Sequence, residues 1–407
     1  MSFGIALSGL NAAQTDLNVT ANNIANSATN GFKQSRAEFA EMFAVSPYGV
    51  ARNQHGNGVK VASVAQQFTD GTINNTGNSM DLALSGQGFF ILSTDGALQY
   101  TRAGAFQVNN EGYVVNSKQQ RLQVYPPSTT GNFNTSTLSD VRLVTSESSP
   151  QATTSVGTVF NLPAADAIPT TTPFDPADES SFNTARSMTV YDSLGAAHTT
   201  SMYYVKTATN EWDMHVAIDG NQLGTQHLVY DANGNLTTPA NGQAVMPTYD
   251  AAAGLSTGAS PINLTFDVSN TTQFGDTFTM TSITQDGFTT GRLIGGDIDS
   301  TGVVQARFTN GRSTQLGQVA IANFSNPQGL QQLGDTNWAQ TFSSGQPLNG
   351  QAGNSGFGLV QSGALEASNV DITAQLVNMI TAQRNFQANA QMIQTSDQIT
   401  QTIINIR

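Results

Sequence analysis

The chain has 407 residues, 15 basic and 28 acidic side chains, a formal net charge of -13 and no cysteine. Nucleic acid requires a Lys/Arg patch, and the basic residues here are scattered singly, which excludes it, together with a basic membrane-surface helix, disulfides, thiolate catalysis and cysteine-ligated metals. Charged residues make up 11% and hydrophobic residues 38%, with an excess of Thr, Asn, Ser, Gln and Gly that suits strands and turns under a polar, mostly uncharged surface. The length predicts two or three domains.

The N-terminal segment from Ser2 to about Ala28 holds no Pro, and Phe3, Leu10, Leu17 and Ile24 recur every seven residues with Leu7 and Ala21 beside them. Such a stripe predicts a helix packed on another helix. Lys33 is the first basic residue, so no cleaved Sec signal is expected, and no apolar run reaches the roughly 18 residues of a membrane span. Period-two patterning follows. "SMDLALSGQGFFIL" reads as a strand, a glycine turn at Gly86 to Gly88 and a second strand, and hairpins turn at Asp95-Gly96 and Glu111-Gly112. The Pro/Thr-rich "LPAADAIPTTTPFDPADESS" suggests a crossing between domains, after which residues 187 to 285 form a separate β run. Between residues 145 and 290, 14 acidic side chains face only Arg186 and Lys206, so nearly all the net charge sits there. Residues 297 to 324 return to β patterning. From Ala364 to Arg407 neither Gly nor Pro occurs, and Ile372, Leu376, Met379, Gln383, Phe386, Ala390 and Ile393 step by four and three, which predicts a long C-terminal helix.

The fold class is therefore mainly β with α-helical termini, the β domains nested between terminal coiled-coil-like helices that pair. The expected divisions are 1–70 with 359–407 for the helical part and its extended connector, 71–144 with 286–358 for an inner β domain, and 145–285 for an inserted acidic one. The helices are diluted by Ala21, Gln383, Ala390 and Asp397 and carry hardly any Glu/Lys pairs, so they are expected to be marginal alone and to order against several neighbours.

Chemistry-bearing motifs are sparse. His55, His198, His215 and His227 lack metal-ligand spacing. "DIDSTG" at Asp297 starts like a calcium loop, but Phe308 stands at its twelfth position, so a hairpin turn is expected. Gly86-Gln-Gly88 lacks the third glycine of a dinucleotide loop, and no Gly-x-Ser-x-Gly or HExxH motif is present. No cofactor, metal or catalytic residue is assigned.

Three blocks carry a family resemblance. "SGLNAAQTDLNVTANNIANSATNGFK" (8–33), "DGTINNTGNSMDLALSGQGFFIL" (70–92) and "SGALEASNVDITAQLVNMITAQRNFQANAQMIQTSDQI" (362–399) resemble signatures of the bacterial flagellar rod and hook family. "MTVYDSLGAAHTTSMYYVKTATNEWDMHV" (188–216) and "LGQVAIANFSNPQGLQQLGDTNWAQTFSSG" (316–345) are similar to the family's hook branch; residues 217 to 290 match less closely. The resemblance implies a structural subunit that polymerises with itself into a flexible, curved, hollow tube transmitting torque from rod to filament. It implies export by the flagellar type III apparatus without a cleaved signal and an extracellular place in the hook. The implied partners are the distal rod, hook cap, hook-length ruler and junction proteins. Inner-tube residues would be Leu10, Leu17, Ile24, Leu376, Met379, Phe386 and Ile393, with Asn22, Asn23 and Asn26 bonding across subunits and Asn30, Gly31 and Phe32 turning the chain out of the helix. A distal rod subunit and a secreted β-rich adhesin or carbohydrate-active protein stay open as alternatives.

Overall fold

The computed structural model describes residues 2–43, 56–128, 132–143, 147–250 and 254–405. The expected helix end at Arg407 and residues 44–55 of the expected connector lie outside them. Two compact units result: Met1–Val144, Gly295–Arg307 and Ser313–Arg407 form the first, and Thr145–Ile294 with Phe308–Arg312 the second.

The first unit joins helices α1 (Ser2–Ala25) and α2 (Ile372–Asn405) to a β ribbon and a larger sheet. The helix ends differ from expectation at both termini. Beyond Ala25 the chain turns, Asn26 and Ser27 still reaching back to the carbonyls of Asn22 and Ile24. Upstream of α2, Ala364–Glu366 is a strand paired with Ile73–Asn75. Asp371 then begins the helix, its Oδ1 accepting from the N–H groups of Thr373 (2.8 Å) and Ala374 (3.2 Å), as an N-cap carboxylate does. The connector after α1 is a two-stranded antiparallel ribbon, β1 (Ser35–Glu41) with β2 (Val59–Gln66), bulged between Glu38 and Phe39.

The large sheet has 12 strands, with Ser313–Asn323, Arg121–Tyr125, Phe89–Thr94, Ala97–Thr101 and Asn337–Ala339 along its middle. The Asp95-Gly96 hairpin turns where the glycine-bearing dipeptide was read, both residues with positive φ (49° and 90°), as a type I′ turn needs. Phe89, Ile91, Tyr100, Tyr125, Phe324 and Trp338 form one core cluster. Phe68, just past the ribbon, plugs that cluster edge-on, its ring centroid 5.1 Å from Trp338 and 5.5 Å from Phe89.

A buried ion network ties the sequence ends together. Lys33 Nζ donates to Glu366 Oε1 (2.6 Å) and to the Thr69 carbonyl (2.7 Å). Arg102 reaches Glu366 Oε2 at 3.2 Å and donates to the Gly86 carbonyl at 2.6 Å. The Gly71 N–H donates to Glu366 Oε1 (2.9 Å), and the Gly31 N–H to the Glu366 carbonyl (2.8 Å). All three side chains are essentially solvent-free. Burial pushes the Lys33 ammonium below its usual range, and the Glu366 carboxylate opposes that shift. Gly31 sits at φ +70°, and a Cβ there would stand 2.4 Å from the Ala103 nitrogen, so glycine is required on both grounds.

The second unit pairs two five-stranded sheets. One is an antiparallel meander, Thr184–Tyr191, Ala197–Ala208, Glu211–Ile218, Asn221–Tyr230 and Leu236–Thr238. In it Met202, Tyr204, Trp212, Met214 and Val216 alternate inward onto Phe160 and Phe266 of the other sheet, the period of two that a half-buried strand imposes. His198 bridges two carboxylates, Nδ1 lying 2.6 Å from Asp219 Oδ2 and Nε2 3.4 Å from Asp192 Oδ2. Burial alone would lower its pKa; the bonds to Asp219 and Asp192 outweigh it and the value is raised. Among the described residues no group of three or more His, Cys, Asp or Glu side chains has the arrangement of a metal site.

Two measurements test these electrostatics, using the chain's two tryptophans, one per unit. Glu366→Ala leaves Lys33 and Arg102 buried without their shared carboxylate, and should cost about 3–5 kcal/mol in urea unfolding followed by Trp338 fluorescence in a Trp212→Phe background. A cost below about 1 kcal/mol, the worth of an exposed pair, would mean that the network is solvated. For His198 the folded pKa exceeds the unfolded one. Its contribution is therefore complete below about pH 6.5, the ordinary histidine value, and is lost as pH rises through the raised one. Trp212 fluorescence in a Trp338→Phe background should show the second unit losing stability upward of that pH, and His198→Gln should flatten the slope. An unchanged slope in His198→Gln would assign it to other groups.

Candidate assembly interface

The helices α1 and α2 pair antiparallel: Asn23 Nδ2 donates to Gln375 Oε1 (3.2 Å), while at the other end Gly9 lies against Asn389. On α1 the least exposed positions toward α2 are Ala6, Gly9, Ala13, Asp16, Thr20 and Asn23; on α2 they are Gln375, Met379, Ala382, Phe386, Asn389, Ile393 and Ser396. Each set steps by three and four, the spacing of a heptad seam. The α1 side of this seam is small or polar throughout. A Cβ at Gly9 would stand 2.6 Å from the Asn389 side chain, so the helices approach as closely as the absence of a side chain permits.

The seven-residue stripe of Leu10, Leu17 and Ile24 is not this intramolecular seam. Those residues flank the contact and are half-buried, and Phe3 and Leu7 on the same side are exposed. Large residues at positions 6, 9, 13 and 20 would push the helices apart, so the small ones took the contact. On α2, Met379, Phe386 and Ile393 do face α1, whereas Leu376, Ile372, Val377 and Ile380 are exposed. Antiparallel pairing of Gly9 with Asn389 exhausts α1 near Ser396, leaving Ile399 and Ile404 on the overhanging end of α2 exposed. The signal for the true seam was present in the small residues at three- and four-residue spacing, which a search for large apolar side chains passes over.

The asparagines divide. Asn23 is buried inside the chain: its Oδ1 accepts from the Ser35 N–H (2.9 Å) and its Nδ2 donates to the Ser35 carbonyl (2.8 Å) as well as to Gln375. Within the chain Asn23 is thus an internal lock between α1, β1 and α2. Asn26 Nδ2, just past the helix end, donates to Asn22 Oδ1 at 2.7 Å, Asn22 on the exposed surface. Phe32 is buried beside the network, and Asn369 anchors it further, accepting from the Gln34 N–H (2.8 Å) and donating to the Gln67 carbonyl (2.8 Å). Asn30 stays exposed in the turn.

Charge is scarce on these helices. Asp16, Arg384 and Asp397 are their only charged residues. Burial raises the Asp16 carboxyl above its usual range. Asp16, Asn23, Gln34, Arg36 and Gln375 line a polar cavity of about 130 Å³ where α1, β1 and α2 meet. No described helix is long and apolar enough to cross a membrane. The arrangement offers no reactive group; it offers two exposed apolar helix faces on a rigidly tied base.

Comparison with known proteins agrees with that geometry. Four family models match: the flagella basal body rod protein at residues 3–33, the flagellar hook protein FlgE/F/G D1 domain at 83–156, the flagellar basal body protein FlaE D2 domain at 161–288, and the C-terminal model of the flagellar basal body rod FlgEFG protein at 361–406. The flagellar hook protein FlgE of Escherichia coli is 40% identical over 418 residues and that of Salmonella typhimurium 39% over 419, each alignment covering 100% of both chains. The crystal structure of the Helicobacter pylori flagellar hook protein FlgE2 shares the fold, with a TM-score of 0.54 at 14% identity over 72% of this chain and 100% of that one. Full-length likeness at this identity, on a mainly β chain with paired terminal helices, places the chain in the flagellar hook protein family as a hook subunit.

Proposed function

We propose that the paired helices of many copies build the inner wall of a hollow, curved tube, with the β units forming its outer layers, so that the hook bends as it turns and passes torque from rod to filament. The observation that carries this reading is the apolar stripe of Phe3, Leu7, Leu10 and Leu17 left partly or fully open on α1. Burying such a stripe is the main source of helix stability in proteins, and among the described residues Phe3 and Leu7 stay exposed while Leu10 and Leu17 are only half covered. Neighbouring copies complete the cover. In this reading the chain divides into the terminal helices with their ribbon (1–70 and 359–407), an inner β domain (71–144 and 286–358) and an outer β domain (145–285). A rotating curved tube takes each subunit through longer and shorter spacings in every turn, which favours polar, wet outer contacts that slide. The acidic composition of the outer domain suits that role.

The role is mechanical and not catalytic. The subunit leaves the cell unfolded through the flagellar type III apparatus and assembles outside it, meeting the distal rod at one end of the tube, the cap and the ruler during growth, and the junction protein at completion. The lack of cysteine leaves nothing to cross-link during passage.

Leu17→Asp, on the open flank, should leave Trp338 fluorescence and helix content of the soluble subunit unchanged and abolish hooks seen by electron microscopy. Phe386→Asp, on the seam, should lose helical signal in the soluble subunit as well as hooks. Normal hooks from Leu17→Asp would remove the stripe from the subunit contact.

A further inference from the structure

The loop 340–346, between the strands Asn337–Ala339 and Leu348–Gln351, presents Phe342 fully to solvent. The loop beneath it is fixed. Thr341 Oγ1 accepts from the N–H groups of Ser343 (3.1 Å) and Ser344 (3.2 Å) and donates to the Gly329 carbonyl. Ser344 is wholly buried and donates to the Thr341 carbonyl (2.9 Å), while Asn326 Nδ2 donates to the Ser343 carbonyl (2.9 Å). Gly329 presses so closely that a Cβ there would stand 2.5 Å from the Ser343 carbonyl carbon. So tied, the loop holds the benzyl group out, and an aromatic ring displayed on a rigid base is the usual form of an interface anchor.

The same unit carries a matching hollow. Ser85, Ile298, Ser300, Leu359 and Val360 line a shallow cavity of about 500 Å³. Ile298 and Val360 are buried in its floor and Leu359 stands half exposed at its rim. None of these residues is charged, so an apolar ring enters without desolvating an ion. The anchor and the hollow sit at different ends of one strand segment. The loop is tied at Asn326, three residues past Asn323, the end of the strand Ser313–Asn323. Val360 approaches Gly302, whose carbonyl accepts from the Val319 N–H. The six steps from Val319 to Ser325 span about 20 Å if extended.

We propose that Phe342 of one copy seats in the hollow formed by Ser85, Ile298, Leu359 and Val360 of the next copy along the tube. This rests on the reading of the chain as a self-polymerising hook subunit. A second copy is the favoured occupant, because an anchor and a hollow at separate places on one chain make a head-to-tail contact that propagates without closing, which is what an open helical filament requires.

The cysteine-free sequence makes the contact testable. In a strain whose hooks are built from this chain, F342C with L359C should give, after mild oxidation of isolated hooks, a ladder of disulfide-linked oligomers on non-reducing gels, absent from either single variant. A disulfide needs Cα atoms within about 7 Å, so a ladder demonstrates close approach between copies. F342C should react with a maleimide in the soluble subunit and be protected in hooks. Phe342→Ala should weaken each contact by roughly 10- to 100-fold and lower the temperature at which hooks dissociate, with the melting of the soluble subunit unchanged. Intact hooks that give no ladder, or in which F342C labels as fast as in the free subunit, overturn the contact and leave the hook assignment standing. Failure of the unsubstituted chain to assemble would overturn both.

Discussion

The carboxylate of Glu366, buried between Lys33 and Arg102, is the constraint on which the first unit depends. Removing an ion from water is unfavourable, and an apolar packing of the same volume is often as stable. What the ionic version adds is selectivity. Glu366 accepts from Lys33, Arg102 and the Gly71 N–H together, and its own carbonyl accepts from Gly31. The fold brings all four donors to this one residue at once. Residues more than three hundred positions apart are thereby held together at the base of the helices, since Lys33 follows α1 and Glu366 precedes α2.

From that base the helices leave together, and their contact is built for closeness more than for strength. Ala6, Gly9, Ala13 and Thr20 give α2 a flat track, and Asn23 closes its lower end with bonds to Ser35 and Gln375. Small residues bury little area, so the pair gains little from its own seam. The larger side chains that could have stabilised it internally stand beside it, on Leu7, Leu10 and Leu17. In the proposed assembly, this division of labour between small and large residues leaves the seam to position the helices and the larger side chains to meet neighbouring copies.

Much of this could be read from residues alone. The Asp95-Gly96 and Glu111-Gly112 turns and the inward alternation of Met202, Tyr204, Trp212 and Met214 follow from local rules of backbone sign and side-chain period. The pairing of the termini was legible because both segments are long and free of Gly and Pro near their centres. The register of that pairing was not, because Leu10 and Leu17 carry a stronger hydrophobic signal than the alanines beside them, and hydrophobicity does not say whether a face awaits a partner within the chain or outside it. Nor was the role of Asn23, whose three bonds go to Ser35 at the start of β1 and to Gln375 on α2, at sequence distances that no local pattern encodes. The Glu366 network was equally hidden: a lone Glu, Lys and Arg in a polar sequence carry no mark of burial.

The scarcity of charge on α1 and α2 reaches beyond folding. With Asp16, Arg384 and Asp397 as their only ions, the helix faces proposed to meet neighbouring copies carry apolar surface and neutral amides, which mobile salt does not screen. At about 10 Å in 0.1 M salt the Debye length spans little more than one helix diameter, and it triples on a tenfold dilution. A wall held by paired charges would tighten and loosen with every such change in the surrounding water. In the proposed tube, a wall of leucine and neutral amides keeps its contacts in dilute and in salty surroundings, because apolar burial carries no charge for salt to screen.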